Sequence, residues 1–320
     1  MLFEDLDKLS DKKIIQTELR GGIKRNVFYS EKNGVAWLEN IQKEEKFLDI
    51  YSKEYRETFY NENKRKISRN HGNMLKVQNR RIQFIKPLMR EEDSLLEIGS
   101  SSGYFLESLQ GIKKKVGIEL NSEEVNYGKS LGIDIREGGL ECLDKNEKYN
   151  HVCAFQVLEH QLDPEGFIMD LVKLTKKGGF IHIEVPTLDN PLISYYQIEE
   201  FRNFWFQEPH IYYFSKKFIG ILAQRLNLEI VQKNLLQTTS FYNHVNWLIT
   251  KQPMKNRVQC ESNTLFFEKT DTFKSEDDNH DLNLSKAKMD QLFIDFNQQY
   301  QKILENYKFG DVLFFTLKVN

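Results

Sequence analysis

A three-layer α/β fold, with helices on both faces of a mostly parallel sheet, is predicted by two features of the sequence. First, short apolar runs alternate with helical segments and with turns that contain Gly or Asp between residues 76 and 235. Strands and helices in that order form parallel pairs through right-handed crossovers. Second, the 320 residues are 40% hydrophobic, which is enough for a sizeable core.

The predicted elements follow one another in a regular order. Five strands are predicted in the first part of the sheet, at residues 94–99, 115–120, 133–137, 151–156 and 180–186. Helices fit after the first, second and fourth strands, and the last of these, over 164–179, ends in Lys-Lys-Gly-Gly as a helix C-terminus does. A further helix and strand follow, and the run DVLFFTLKV closes the chain as a strong final strand.

The segments outside this alternation have a different composition. Residues 1–75 are polar, charged and dotted with aromatics, and patches such as VAWLENIQKEEKFLDIYSKEYRETF predict a helical N-terminal cap or accessory segment. A polar stretch, 251–286, predicts a flexible insertion. The predicted organisation is therefore a cap at 1–75, a core at 76–235, an insertion and helix at 236–307, and a final core strand at 308–320.

Charge and cysteine content exclude several classes of protein. The 45 basic and 47 acidic side chains give a net charge of −2, which removes the simplest argument for nucleic acid or an anionic membrane as partner. No apolar run approaches the roughly 20 residues that span a bilayer, and the N-terminus lacks the pattern of a signal peptide. A cytoplasmic protein is expected. The three cysteines have no C-x-x-C spacing, so we expect reduced thiols and no structural zinc site.

A glycine turn after the first predicted strand indicates a nucleotide-type ligand. In LLEIGSSSGYF, Gly99 and Gly103 let the backbone approach a ligand closely before a helix begins. Glu119 ends the second strand, where a carboxylate accepts both hydroxyl protons of a ribose. The spacing E-x-G-x-x-x-G differs from the G-x-G-x-x-G of most dinucleotide-binding turns, which favours S-adenosylmethionine over NAD. The alternatives are an ordinary strand-to-helix turn and a solvated helix-capping acid.

A third run carries a resemblance to a known family. The segment CAFQVLEHQLDPEGF is similar to the LEH-x-x-DP signature of class I methyltransferases of the ubiquinone-biosynthesis and glycan-modifying groups. The runs KKGGFIHIEVP, EPHIYYFSKKFIGILAQRLNLEI and FGDVLFFTLKV resemble the later strands and helix of the same family. The resemblance covers about residues 76–235 and 308–319. It implies a Rossmann-like three-layer sandwich whose seven-stranded, mostly parallel sheet ends in an antiparallel strand.

The resemblance also implies site residues and a reaction. The family binds S-adenosylmethionine, and its cofactor contacts fall here on Glu97, Gly99, Ser101, Gly103, Glu119, Gly139, Leu140, Gln156 and Val157. Asn150-His151 stands where the family usually has an aspartate before the fourth strand. The implied activity is methylation of a small-molecule or sugar acceptor on oxygen, nitrogen or carbon.

Histidines supply the candidates for acid–base chemistry. Methyl transfer depends mainly on positioning, but a hydroxyl acceptor benefits from a base, and His is suited to that task near neutral pH. His210, in the aromatic loop after the fifth strand, is the candidate base, and a loop-ordering role is the alternative. His160 is the second candidate, with a structural helix-entry role as its alternative. His151 and His182 are expected to be satisfied core or sheet residues, and no metal triad is predicted.

The acceptor side is the least defined part of the prediction. The aromatic loop predicts an acceptor pocket, with a packing layer or a homodimer contact as alternatives; its members are Tyr195, Tyr196, Phe201, Phe204, Trp205, Phe206, Tyr212 and Tyr213. Tyr51, Tyr55 and Tyr60 either close over the cofactor or form a helix-packing stripe. The competing functions are an NAD-dependent oxidoreductase on a similar fold and a catalytically silent methyltransferase-like partner subunit.

Overall fold

A computed structural model describes residues 6–39, 71–144, 146–254 and 280–320. Within these ranges, the side chains of residues 71–74, 76, 77 and 280–290 are not described. Tyr51, Tyr55, Tyr60, Cys260 and residues 255–279 of the predicted insertion lie outside the described residues.

The described residues form eleven strands and nine α-helices. The strands are β1 (Lys12–Leu19), β2 (Ile23–Ser30), β3 (Val35–Leu38), β4 (Ser94–Ile98), β5 (Lys114–Glu119), β6 (Ile135–Glu137), β7 (Tyr149–Phe155), β8 (Thr175–Pro186), β9 (Tyr212–Phe214), β10 (Glu229–Leu236) and β11 (Val312–Lys318). The helices are α1 (His71–Ile85), α2 (Tyr104–Ser108), α3 (Ser122–Ser130), α4 (Pro164–Leu174), α5 (Pro191–Ser194), α6 (Glu199–Trp205), α7 (Lys216–Arg225), α8 (Phe241–Thr250) and α9 (His280–Asn306).

The large sheet has seven strands in the order β10-β11-β8-β7-β4-β5-β6. Strands β4 to β8 pair in parallel, and β11 runs antiparallel to both β8 and β10. Leu313, Phe314 and Phe315 are fully buried in β11, which shows that both faces of this strand are covered. The predicted sandwich, with its antiparallel last strand, is confirmed.

Local capping explains where the helices begin. The side chain of Asn121 accepts from two amides at the start of α3, and Asp163 caps α4 with Pro164 in its first turn. The predicted end of α4 at residue 179 is wrong, because the helix ends at Leu174 and residues 175–179 belong to β8. Pairing with the chain end decides this: the amide of Gly178 donates to the carbonyl of Val319.

The N-terminal segment differs from the prediction. Residues 6–39 are not helical beyond a single short turn. They supply three strands of a four-stranded antiparallel sheet, β1-β2-β3-β9, which we call the small sheet. Gly21 and Gly22, both at positive φ, turn β1 into β2. The fourth strand, β9, comes from the aromatic loop near residue 213, and sequence periodicity does not report so distant a pairing. The rest of the predicted helical cap, residues 40–70, lies outside the described residues.

The small sheet shares a hydrophobic core with the large sheet. Val27 and Trp37 of the small sheet belong to the same buried cluster as Leu96 and Ile183 of the large sheet. The predicted domain boundaries at 75, 235 and 307 stay predictions. Within the described part of the chain, no helix has both the length and the apolarity needed to cross a bilayer.

Candidate active site

A cleft of about 600 Å³ lies at the carboxyl ends of β4, β5, β6 and β7, the edge at which open α/β sheets bind ligands. Seven residues singled out from the sequence line it: Gly99, Glu119, Gly139, Leu140, Gln156, Val157 and His160. Apolar side chains that were not among the predicted cofactor contacts complete its wall, among them Leu120, Leu162 and Phe167. We call this space the cofactor cleft.

The turn after β4 needs glycine at two points. Gly99 has a φ of 68°, and a Cβ there would lie 2.8 Å from Cγ2 of Val157 across the cleft. Gly103 has a φ of 77° and precedes α2, where a Cβ would meet Ile133 at 3.0 Å. The left-handed backbone and the close approach both exclude a larger side chain, so glycine is required at these two positions.

Glu119 is fixed at the rim of the cleft by backbone amides. Its carboxylate accepts hydrogen bonds from the amides of Ser101 and Asn121, each at 2.9 Å. Ser101 therefore orients Glu119 and does not itself line the cleft. This arrangement holds the carboxylate where the cleft begins, at the end of β5.

Glu97 is buried below the turn rather than on the cleft wall. It is 3% exposed, and its Oε2 accepts no hydrogen bond. Burial raises the pKa of Glu97 to about 8, although the nearby Arg81 acts in the opposite direction. The carboxyl group is thus largely protonated at neutral pH, which the sequence did not indicate.

Helix α1 contributes an ion pair that sequence analysis missed. Arg80 and Arg81 contact the buried carboxylate of Glu184 in β8, at 3.1 and 2.6 Å. Burial raises the pKa of Glu184, but the two guanidinium groups outweigh burial and lower it to about 2. The carboxylate of Glu184 also accepts from the side-chain amide of Gln156 at 3.4 Å, and this cleft residue has a φ of 58°. One buried carboxylate thus contacts α1 and the cleft residue Gln156.

Glu159 and His160 occupy a short 3-10 turn directly after β7. The imidazole of His160 donates from Nδ1 to the carbonyl oxygen of Pro209 at 2.6 Å. Burial lowers the pKa of His160 to about 4 and raises the pKa of Glu159 to about 8. Both groups are therefore mainly uncharged at neutral pH.

A second cavity, of about 510 Å³, adjoins the cofactor cleft, and Gln156 lines both. Its wall includes Arg20 of the N-terminal segment, which no sequence motif indicated, and the predicted His210. Burial, followed by His160 and Arg20, holds the pKa of His210 well below its usual value. The rings of His160 and His210 meet edge to face at 4.8 Å.

The aromatic loop lines this cavity only in part. Phe204 and Trp205 contact it, joined by Trp247 of α8. Phe201, Phe206, Tyr212 and Tyr213 are buried packing residues, and Tyr195 and Tyr196 are exposed. The four buried rings thus follow the alternative of a packing layer, whereas the acceptor role of the other four aromatics stays a prediction.

The other titratable candidates are structural. His151 and His182 are buried, as expected, and their rings share a hydrogen bond of 3.0 Å. Cys153 is a buried free thiol and Cys142 is half-buried. The expectation of no metal triad did not anticipate one arrangement among the described residues: ligand atoms of Glu159, His160 and His210 lie within 4.8 Å of one another.

Comparison with known proteins places this geometry in a family. The profile of the family described as "Methyltransferase domain" matches residues 61–233, which is more than half of the 320 residues. The chain belongs to the methyltransferase domain family. This membership agrees with the predicted class I methyltransferase and its cofactor, S-adenosylmethionine. The individual roles of the predicted site residues stay predictions.

Curated relatives match this chain over a limited length. A ubiquinone biosynthesis O-methyltransferase from Burkholderia vietnamiensis is 29% identical over 109 residues, covering 31% of this chain and 46% of the relative. The mitochondrial enzyme of the same name from Dictyostelium discoideum is 26% identical over 121 residues, covering 32% and 37%. The matches thus span less than half the length of these relatives.

Solved structures show only a distant likeness to this chain. A SAM-dependent methyltransferase from Archaeoglobus fulgidus is 16% identical, with a TM-score of 0.45 over 76% of this chain and 94% of that one. A possible histamine N-methyltransferase from Thermotoga maritima is 21% identical, with a TM-score of 0.42 over 58% and 84%. Likeness at this level carries no argument about the acceptor.

Proposed function

We propose that this chain transfers a methyl group from S-adenosylmethionine to a hydroxyl oxygen of a ring-containing small molecule, sugars included. One observation carries the proposal: two cavities of similar size meet at Gln156. A transfer reaction needs its two reactants held side by side, and adjoining cavities provide for that.

The cofactor cleft fits an adenosyl-sulfonium ligand. Its volume lies within the range of about 300–1,000 Å³ that small-molecule sites have. Glu119 would accept the ribose hydroxyls, and Gly99 with Gly139 would let the backbone approach the ligand. Leu140 and Val157 supply apolar surface for a base. When bound, S-adenosylmethionine supplies an activated methyl group and leaves as a neutral thioether.

The second cavity suits a ring-containing acceptor. Phe204, Trp205 and Trp247 provide aromatic surface for a ring, and Thr238 and Thr239 are polar residues of the same wall. His210 on this wall would contact the acceptor hydroxyl and serve as the acceptor-side catalytic residue. The names of the curated relatives, O-methyltransferases, support oxygen as the methylated atom.

The proposal is tested first by isothermal titration of the protein with S-adenosylmethionine, S-adenosylhomocysteine and NAD. We expect micromolar binding of the two adenosyl-sulfur ligands and no binding of NAD. Binding of NAD alone would replace the proposal with an oxidoreductase. Absence of all binding in folded protein would favour a silent partner subunit.

The acceptor half has its own test. His210→Ala is expected to leave the affinity for S-adenosylhomocysteine nearly unchanged and to slow methylation of hydroxyl acceptors in a screen by about 100-fold or more. Loss of cofactor affinity with normal turnover would contradict the acceptor-side assignment. The cytoplasmic location and the homodimer remain predictions from the sequence, and sedimentation equilibrium measures the second.

A further inference from the structure

Helix α9 carries a row of large apolar side chains on its exposed face. They are Leu292, Phe296, Ile303 and Tyr307, with exposed fractions of 58%, 46%, 51% and 75%. The amide of Tyr307 donates to the carbonyl of Ile303 at 3.0 Å, so Tyr307 continues the last helical turn. At 3.6 residues per turn, this spacing places all four side chains within about 60° of one another around the helix. They form one continuous surface, which we call the α9 stripe.

The opposite face of α9 is held to the rest of the chain by polar contacts. Asn297 is 0% exposed, and its side-chain oxygen accepts from the amide of Phe241 at 2.7 Å. The hydroxyl of Tyr300 lies 2.6 Å from Nδ1 of His244. A surface helix normally turns its apolar stripe inward and its polar side chains outward. Because α9 does the reverse, its outer face has the character of a surface that packs against another protein.

The α9 stripe is large enough to form an interface. Tyr195 and Tyr196, 69% and 50% exposed, extend it near the end of α9, where the ring of Tyr195 lies 6.2 Å from that of Phe309. Large aromatic side chains each bury on the order of 150–250 Å². Six large side chains that are about half exposed therefore approach the roughly 800 Å² that each partner contributes to a standard interface.

Two exposed charges flank the α9 stripe on one side. Asp295 and Lys302 are seven residues apart, so they lie at nearly the same angle around the helix. Seven residues also separate them by about 10 Å along the axis, which is too far for a pair within one helix. A partner that matches this flank must therefore present a cation opposite Asp295 and an anion opposite Lys302.

A second copy of α9 presents those charges when the two helices run antiparallel. In an antiparallel pair each flank faces the same flank of the other helix, and a two-fold axis between residues 298 and 299 brings Asp295 level with Lys302 of the second copy, twice over. In a parallel pair this flank would face the side of Phe293 and Leu304 instead. We infer that the α9 stripe is the contact of a homodimer in which the two α9 helices lie antiparallel.

The same axis also matches the apolar side chains. It places Leu292 between Ile303 and Tyr307 of the second copy, and Phe296 beside Ile303 of the second copy. Gln299 lies next to the axis and meets its own copy, where side-chain amides donate and accept in both directions. The stripe is thus self-complementary in apolar surface, charge and polar centre, as an isologous interface requires.

The dimer is tested by sedimentation equilibrium of the full chain over about a 100-fold range of protein concentration. We expect a monomer–dimer equilibrium in the wild type, and Ile303→Lys should weaken the dimer by about 30-fold or more. Ile14→Lys is the matched control, because Ile14 in β1 is 53% exposed and belongs to the small sheet. It should dimerise as the wild type does.

A charge exchange tests the antiparallel arrangement itself. Asp295→Lys alone and Lys302→Asp alone each place like charges opposite one another, and each should weaken the dimer by about tenfold. The double variant restores opposite charges and should return to within about threefold of the wild type. This rescue requires the second copy, because the two positions are too far apart to pair within one helix.

The outcomes separate this inference from the methyltransferase proposal. A wild type that stays monomeric at every concentration would overturn the inference, and so would a dimer that Ile303→Lys leaves intact. Failure of the double variant to recover would overturn the antiparallel pairing. Titration with S-adenosylhomocysteine verifies that each variant is folded. Its affinity should be unchanged in every variant, because the substituted positions are not among the residues that line either cavity.

Discussion

The two cavities that meet at Gln156 are built in different ways. The cofactor cleft is lined mainly by residues at the ends of four neighbouring strands, and the rest of its wall comes from the start of α4, which follows the last of them along the chain. The second cavity draws Arg20 from the N-terminal segment, Phe204 and His210 from the aromatic loop, and Trp247 from α8. Short motifs can therefore report the first cavity, whereas only long-range packing assembles the second.

The largest expected effect is on the cofactor side of this comparison. Glu119→Ala removes the carboxylate proposed to accept two ribose hydroxyls, and each hydrogen bond to a charged group contributes about 1.5 kcal/mol or more. The affinity for S-adenosylhomocysteine should fall by about 100-fold in a calorimetric titration. Glu119→Gln, which keeps one acceptor oxygen, should lose less. Wild-type affinity in a folded Glu119→Ala protein would show that the ligand does not use this carboxylate.

A smaller loss is expected from filling the glycine turn. Gly99→Ala places a Cβ at 2.8 Å from Val157 on a backbone with positive φ, and we expect about a tenfold loss of affinity for S-adenosylhomocysteine together with lower stability. Gly111→Ala is the matched control, because Gly111 has a φ of 80° but nothing within 4 Å of its Cβ position. The control should lower stability by about 1 kcal/mol without changing affinity. Equal loss of affinity in both variants would point to backbone strain rather than the close approach.

Tyr213→Phe tests the second cavity and should leave the cofactor cleft unaffected. The hydroxyl of Tyr213 accepts from the amide of Gln207 at 2.8 Å, next to His210, and its removal leaves a part-buried donor unpaired. We expect unfolding in urea to require about 1–2 kcal/mol less free energy, with unchanged affinity for S-adenosylhomocysteine. A parallel fall in that affinity would mean that the two cavities do not act separately.

The smallest effect expected is a difference in pH dependence. Burial lowers the pKa of His244, behind the second cavity, to about 4, below the value of about 6.5 in an unfolded chain. The unfolded chain thus binds the proton first, and stability contributed by His244 is lost as pH falls from about 6.5 to 4. His244→Gln should make this acid limb less steep in thermal unfolding midpoints recorded across pH, and His160, whose pKa is also about 4, accounts for part of what remains.

The pKa of Glu97, below the cofactor cleft, is shifted in the opposite direction, and so is its effect on stability as pH changes. Burial raises its pKa to about 8, above the unfolded value of about 4.3, so the folded chain holds the proton longer. Its contribution is present below about pH 4.3 and is lost as pH rises to about 8. Glu97→Gln should flatten the alkaline limb and leave the acid limb unchanged. A wild-type profile without either limb would refute both assignments.

Much of the large sheet could be predicted because each of its strands has a local sequence pattern. Ser94–Ile98 and Val312–Lys318 appear as short apolar runs between turn residues, and glycine at 99 and 103 marks the turn between strand and helix. The small sheet could not be predicted. The strand Val35–Leu38 begins a stretch with a helical pattern, and its partner Tyr212–Phe214 lies far along the chain.

The residues of the candidate site likewise fall into two groups, those that the sequence could place and those that it could not. Glu119 and Gly139 could be placed from spacing, because parallel strands end at one edge of the sheet and a residue after a strand must lie there. The ion pair of Glu184 with Arg80 and Arg81 could not be predicted from spacing, because the two segments are distant in sequence and neither contains a pattern that indicates the contact. Glu159 could be recognised only as part of the LEH-x-x-DP motif, and its burial could not be predicted.

By itself the sequence determined the parallel sheet, the glycine turn and the strand ends that line the cofactor cleft, because these depend on contacts close along the chain. Only the tertiary structure decided the small sheet, the second cavity and the convergence of Glu159, His160 and His210. Those features depend on which distant segments pack together, and burial then sets the charge that each group carries.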